Sequence, residues 1–83
     1  MTTLTTADPF RQRFGRRLRL LRYEVGLTQE QLAHLIHDES HGITPDGSQI
    51  SRWEMGRALP SLANQQALAH AFGIDQERLF YDP

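Results

Sequence analysis

Phe10, Phe14, Leu18, Leu21 and Val25 recur at intervals of three and four between Pro9 and Gly26. Such spacing lines one side of an α-helix and no side of a strand, so the segment is expected to be a helix with one apolar stripe along its whole length. Asp8 is expected to cap it, with Pro9 in the first position, where a missing N–H costs nothing. Gly26 stands where a left-handed closing residue belongs. The next stretch, Leu27-Thr28-Gln29-Glu30-Gln31-Leu32, carries two start signals: Thr28 with Gln31 fits a capping box, and Leu27 with Leu32 fits a hydrophobic staple. A second helix therefore opens near Gln29, with Leu32, Ala33, Leu35 and Ile36 on its buried side. The polar run 37–47 leaves its end open between His37 and His41. A third helix is expected to begin between Thr44 and Ser48 and to close at Gly56, and a fourth to run from its cap Ser61 through Phe72 to Gly73. Asp75 then caps a short fifth, Gln76 to about Phe80, which turns Leu79 inward. The expectation is a compact all-α domain of five helices over residues 8–83, preceded by a flexible Thr-rich arm, 1–7. Its expected core is Phe14, Leu18, Leu21, Leu32, Ala33, Ile36, Ile50, Trp53, Leu68, Phe72 and Leu79.

At 83 residues and without cysteine, the chain can use neither disulfides nor thiolate metal sites, and must stand on apolar packing. No apolar run approaches membrane-spanning length, and Met1 to Ala7 lack the basic start and apolar centre of a signal peptide. A soluble cytoplasmic protein with no membrane partner is the expectation. No motif sets a nucleophile, a base and an orienting group together, and there is neither a phosphate-cradling glycine loop nor a convincing metal cage. An enzyme is therefore not expected, nor a cofactor, a bound metal or a small-molecule ligand.

The net charge of −1 hides an asymmetry: all nine basic residues are arginine, and Arg11, Arg13, Arg16, Arg17, Arg19 and Arg22 lie within twelve positions. Between Tyr23 and Ile50 there are five acidic residues and no basic one. A local positive end can meet a polyanion whatever the total, although a charge run is also how an ordinary solvated face looks. Ser48-Gln49-Ile50-Ser51-Arg52-Trp53-Glu54-Met55-Gly56 has the same double character. Ile50 and Trp53, three apart, can face a core, while Ser48, Gln49, Ser51 and Arg52 fall on other sides. Short polar groups with one arginine suit the base edges of a DNA major groove, and equally suit any surface helix.

Taken together, Leu27-Thr28-Gln29-Glu30-Gln31-Leu32-Ala33, Ile50-Ser51-Arg52-Trp53-Glu54-Met55-Gly56-Arg57, Pro60 and Ala69-His70-Ala71-Phe72-Gly73-Ile74 resemble the phage-repressor-like helix-turn-helix family, also called XRE or Cro/C1. The resemblance spans about Phe14 to Phe80. It implies a lambda-repressor-like domain in which the second helix crosses the DNA backbone and the third, from about 45–48 to 55, enters the major groove. Ser48, Gln49 and Arg52 match positions that face base edges; Gly47 matches another but can offer only backbone. Phosphate contacts are implied for Thr28, Gln29, Gly47, Ser51, Arg57 and Arg16. Arg22 and Glu54 match a partly buried salt bridge that ties the first helix to the third. The implied partner is double-stranded DNA and the implied state a homodimer, at least on DNA. A helix-turn-helix module that binds a polymerase, a toxin or another regulator is the competing expectation.

Three departures qualify the match. Ile50 follows Ala33 by seventeen positions where about ten are usual for such a helix-turn-helix. That places Asp46 where it must avoid phosphates or accept from a cytosine amino group. His34, His37 and His41 share one face if the second helix continues, which suits zinc or pH sensing as well as a solvated loop. Gln65 replaces an apolar residue of the fourth helix, implying either a partner surface or a register in which Leu62, Leu68, Ala69 and Phe72 suffice.

Overall fold

The computed structural model describes residues 9–39 and 45–80, with the backbone alone for 37–39. It contains α1 (Pro9–Val25), α2 (Gln29–Glu39), α3 (Gly47–Glu54), α4 (Leu62–Phe72) and a closing 3₁₀ turn (Gln76–Leu79). There is no strand among the described residues. The expected fifth helix is thus corrected to one tight turn. Four residues cannot propagate an α-helical ladder, and Asp75 makes no side-chain capping bond. The arm 1–7, the Asp8 cap and His41 lie outside the described residues. The extra length before α3 divides between an eleven-residue α2 and the connection 40–46.

Local chemistry sets most helix boundaries. Thr28 Oγ1 accepts from Gln31 N at 3.0 Å, and Gln31 Oε1 accepts from Thr28 N at 2.9 Å, a reciprocal box that opens α2. Ser61 Oγ accepts from Asn64 N at 3.2 Å and opens α4. The ends of α1, α3 and α4 close by one device: the glycine N–H bonds three residues back and the next N–H five back. These pairs are Gly26 to Tyr23 and Leu27 to Arg22, Gly56 to Trp53 and Arg57 to Arg52, and Gly73 to His70 and Ile74 to Ala69. The glycines take φ of +75°, +75° and +68°, which a side chain would resist.

The helix α3 packs against both α1 and α2, α4 closes over α2 and α1, and the 3₁₀ turn rests on α4 and α1. Phe14, Leu18, Leu21, Leu32, Ala33, Ile36, Ile50, Trp53, Ala67, Leu68, Ala69 and Leu79 form one buried cluster. Phe72 is only partly buried against it, a correction to its expected core place. Apolar periodicity also overstates burial on α1: Phe10 and Val25, the ends of the stripe, are 40% and 49% exposed. Seventeen residues span about 25 Å, twice the length of the eight-residue α3 that packs against them, so α3 alone cannot cover the whole stripe. Phe10 is partly covered by stacking on Phe80 at 5.4 Å. Leu35 and Leu62 are likewise exposed, since Leu32, Ala33 and Ile36 already complete the buried side of α2, and Ala67, Leu68 and Ala69 that of α4.

Gln65 belongs to neither of the two arrangements expected for it. Its Nε2 donates to Pro60 O at 3.0 Å and its Oε1 accepts from Gln76 Nε2 at 3.2 Å, so one half-buried amide ties the connector, α4 and the closing turn. Asn64 is also buried, and its Oδ1 has no hydrogen-bond partner among the described residues.

Candidate nucleic-acid interface

Asp46 has extended backbone and its carboxylate accepts from Gln49 N at 3.0 Å, so it is the N-cap of α3. That bond satisfies one of the free N–H groups of the first turn. The cap engages one carboxylate oxygen, Oδ1, of the exposed Asp46 side chain. A Pro-Asp pair three residues before Gln49 was a readable signal.

From that start the 3.6-residue period sorts the side chains. Ile50 is 0% and Trp53 3% exposed, facing the core, whereas Ser48, Gln49 and Arg52 are exposed together on the opposite side. Ser51 lies half-buried at the edge, and Met55, 45% exposed, ends the helix near the outer face. The three candidate base-reading residues therefore share one surface.

Two devices hold the inner side. Gly15, buried in mid-α1, lets that helix touch the end of α3: a β-carbon there would collide with the backbone carbonyls of Glu54 and of Trp53, the latter at 2.7 Å. Backbone cannot move aside as a flexible side chain can. The position was not anticipated, although a lone glycine inside a periodic helix is a cue to close packing. Beside it, Arg22 Nε donates to Glu54 Oε2 at 2.6 Å, Arg22 Nη2 to Oε1 at 3.0 Å and Arg22 Nη1 to Leu27 O at 2.9 Å. One guanidinium thus joins α1, the α1–α2 turn and α3 in a planar fork. Its cation also lies 4.7 Å from the centre of the Tyr23 ring.

Glu54 collects further donors: Gln29 Nε2 at 3.1 Å, and Arg19 Nε at 3.6 Å as a looser ion pair. Burial alone pushes its carboxyl up. The hydrogen bonds from Arg22 and Gln29 and the charges of Arg22 and Arg19 outweigh this and hold it below the ordinary glutamate value. Glu54 in turn raises the Arg22 guanidinium against the lowering effect of burial.

The expected phosphate contacts meet different surroundings. Arg16 and Arg57 are exposed, and Arg16 makes no hydrogen bond or ion pair among the described residues. Arg57 O accepts from Arg11 Nη1 at 3.5 Å, leaving its guanidinium outward. Thr28 is exposed at the opening of α2, with its N–H and Oγ1 engaged in the box. Gln29 is half-buried and spends one amide hydrogen on Glu54. Gly47 is buried, and the Glu30 carboxylate lies where a side chain of residue 47 would begin. Several members of the arginine run have partners within the fold: Arg22 and Arg19 serve Glu54, Arg17 Nε donates to Arg78 O at 3.1 Å, and Arg11 reaches the connector. Of the three histidines, only His34 has a described side chain, and it is exposed.

No helix among the described residues is long and apolar enough to cross a membrane. A comparison with curated proteins gave no match. Among solved structures, the chain is similar to the restriction-modification controller protein C.AhdI from Aeromonas hydrophila, with 38% identity and a TM-score of 0.71 over 84% of this chain and 96% of that one. It is also similar to the SOS-response transcriptional repressor LexA from Eubacterium rectale, at 26% identity and TM-score 0.77 over 94% and 76% of the two chains. A hypothetical transcription factor, NHTF, from Neisseria is 27% identical with TM-score 0.73 over 98% and 90%. Residues 13–79 match the family described as a helix-turn-helix domain, and with an α3 whose inner side is bolted to α1 and whose outer side is polar, the chain belongs to the helix-turn-helix family of the XRE, Cro/C1 type.

Proposed function

We propose that the chain is a sequence-specific, double-stranded-DNA-binding transcriptional regulator that lays α3 in the major groove and acts in the cytoplasm as a homodimer. The observation that carries this is the exposure of Ser48, Gln49 and Arg52 on one side of a helix whose other side is anchored. The Gln49 amide matches the N6 and N7 edge of adenine, the Arg52 guanidinium matches O6 and N7 of guanine, and the Ser48 hydroxyl can donate or accept. Register comes from phosphate contacts by Arg57, Arg16, Thr28, Ser51 and Gln29, the last two at helix positions flanking the reading side. The free N–H groups and positive dipole end of α2 add to the contact at Thr28 and Gln29. One reading helix covers only a few base pairs, which is why two copies are needed.

Binding to labelled duplexes across a salt series tests the proposal. Affinity should fall steeply from low to moderate salt, and Arg52→Ala or Gln49→Ala should each remove ~1–3 kcal/mol of discrimination at one base pair. No binding at low salt, even nonspecific, would favour a protein-interaction module.

A further inference from the structure

At the first turn of α3, the position that the resemblance to repressor-like domains matches to a base-facing one is Gly47, which is buried and brings no side chain. That space is not empty. A β-carbon built on Gly47 would overlap Glu30 Oε2 and would stand 2.8 Å from Glu30 Cδ and 3.3 Å from Cγ. The second residue of α2 therefore puts its carboxylate where the side chain of residue 47 would begin. Glu30 is exposed, and no hydrogen bond or ion pair engages it among the described residues. Asp46, the other carboxylate at this end, is held as the cap of α3 by its bond from Gln49 N.

We propose that Glu30, reaching over Gly47 from α2, is a specificity-determining residue that accepts a hydrogen bond from the exocyclic amino group of a cytosine in the major groove. This rests on the DNA-reading function proposed above. An ionised carboxylate only accepts, so guanine O6 and N7 and thymine O4 repel it, leaving cytosine N4 and adenine N6 as donors. Adenine sets its N7 acceptor beside N6, where it opposes the second carboxylate oxygen. Cytosine presents no such neighbour. Opposite guanine or thymine the carboxylate is an uncompensated negative charge near the phosphates, so it discriminates by penalty as well as by its bond.

Selection of bound sequences from a random duplex pool, run in parallel on the unaltered chain, Glu30→Ala and Glu30→Gln, tests this. The unaltered chain should select cytosine at one position of each half-site, by about 10- to 100-fold over the other bases. Glu30→Ala should lose that preference and keep the others. Glu30→Gln should move it toward adenine, which an amide bonds at N6 and N7. Unchanged melting temperatures for both variants exclude unfolding as the cause, and Glu30→Gln, nearly the same in shape, repeats the test should Glu30→Ala fold poorly. A selected site whose preferences survive both substitutions, or Glu30→Ala binding all sequences more tightly to the same degree, would overturn the role of Glu30 and leave the DNA-reading function standing. A chain that selects no sequence would instead bring down that function, and the role of Glu30 with it.

Discussion

Inward, α3 meets α1 through a missing β-carbon at Gly15 and a bidentate ion pair from Arg22, and sends Ile50 fully into the core; outward, it offers Ser48, Gln49 and Arg52 to solvent and, among the described residues, makes no tertiary hydrogen bond through their side chains. The difference separates two tasks on one eight-residue helix. The inner side fixes where the helix sits and which way it is rotated. The outer side, relieved of that duty, can be chosen for what it recognises. A recognition element needs this division, since reading a base edge depends on placement to within a fraction of an ångström while the reading groups must stay unpaired until a ligand arrives.

Breaking the inner side should have the largest effect. Arg22→Ala leaves the Glu54 carboxylate buried without its main partner, and loss of one member of such a pair costs about 3–5 kcal/mol, a large share of a stability of roughly 4–12 kcal/mol for this length. Urea unfolding should show a sharply lower midpoint; an unchanged one would mean that the fork is dispensable. The same pair gives a pH signature. Because Glu54 titrates below the ordinary glutamate value in the folded state, its stabilisation is present above the unfolded-state value of about 4.3 and is lost as pH falls through the lower folded value. Glu54→Gln should remove that part of the acid dependence along with the stability it supplied.

Gly15→Ala comes next. The new methyl meets backbone carbonyls, and overpacking of that kind costs about 1–3 kcal/mol, read as a lower melting temperature. A smaller effect, about 0.5–2 kcal/mol, is expected for Asp46→Ala, which removes the cap of α3 and loosens its first turn. Faster amide exchange at Gln49 relative to Trp53 would localise the change. On the outer side, Ser48→Ala and Arg52→Ala should move stability by no more than about 0.5 kcal/mol. A larger loss would show that the reading surface also supports the fold and would blur the distinction between the sides.

What the sequence disclosed followed the range of the forces involved. The Thr28–Gln31 box, the Ser61 cap and the glycine closures bond across three to five residues, so their residue types appear side by side in the chain. The α3 faces were legible for a related reason, because periodicity records which side is buried. Four other features depend on how helices cross: the Gly15 contact, the Gln29 bond to Glu54, the internal ties of Gln65 and the approach of Glu30 to Gly47. No local pattern encodes a crossing. The same gap explains the overstated burial of Phe10, Val25 and Leu35, since a stripe tells which side of a helix is apolar but not how far the neighbouring helix extends. The closing turn was mistaken for a helix because capping residues mark a start and say nothing of length.

The outward exposure of Ser48, Gln49 and Arg52 also bears on how such a protein changes over generations. Residues that contribute almost nothing to the fold can be exchanged one at a time without passing through an unfolded intermediate, so a duplicated copy can drift toward a new binding site while its scaffold stays intact. The buried positions Ile50, Trp53 and Glu54 make that drift safe, because every exchanged group is presented from the same platform.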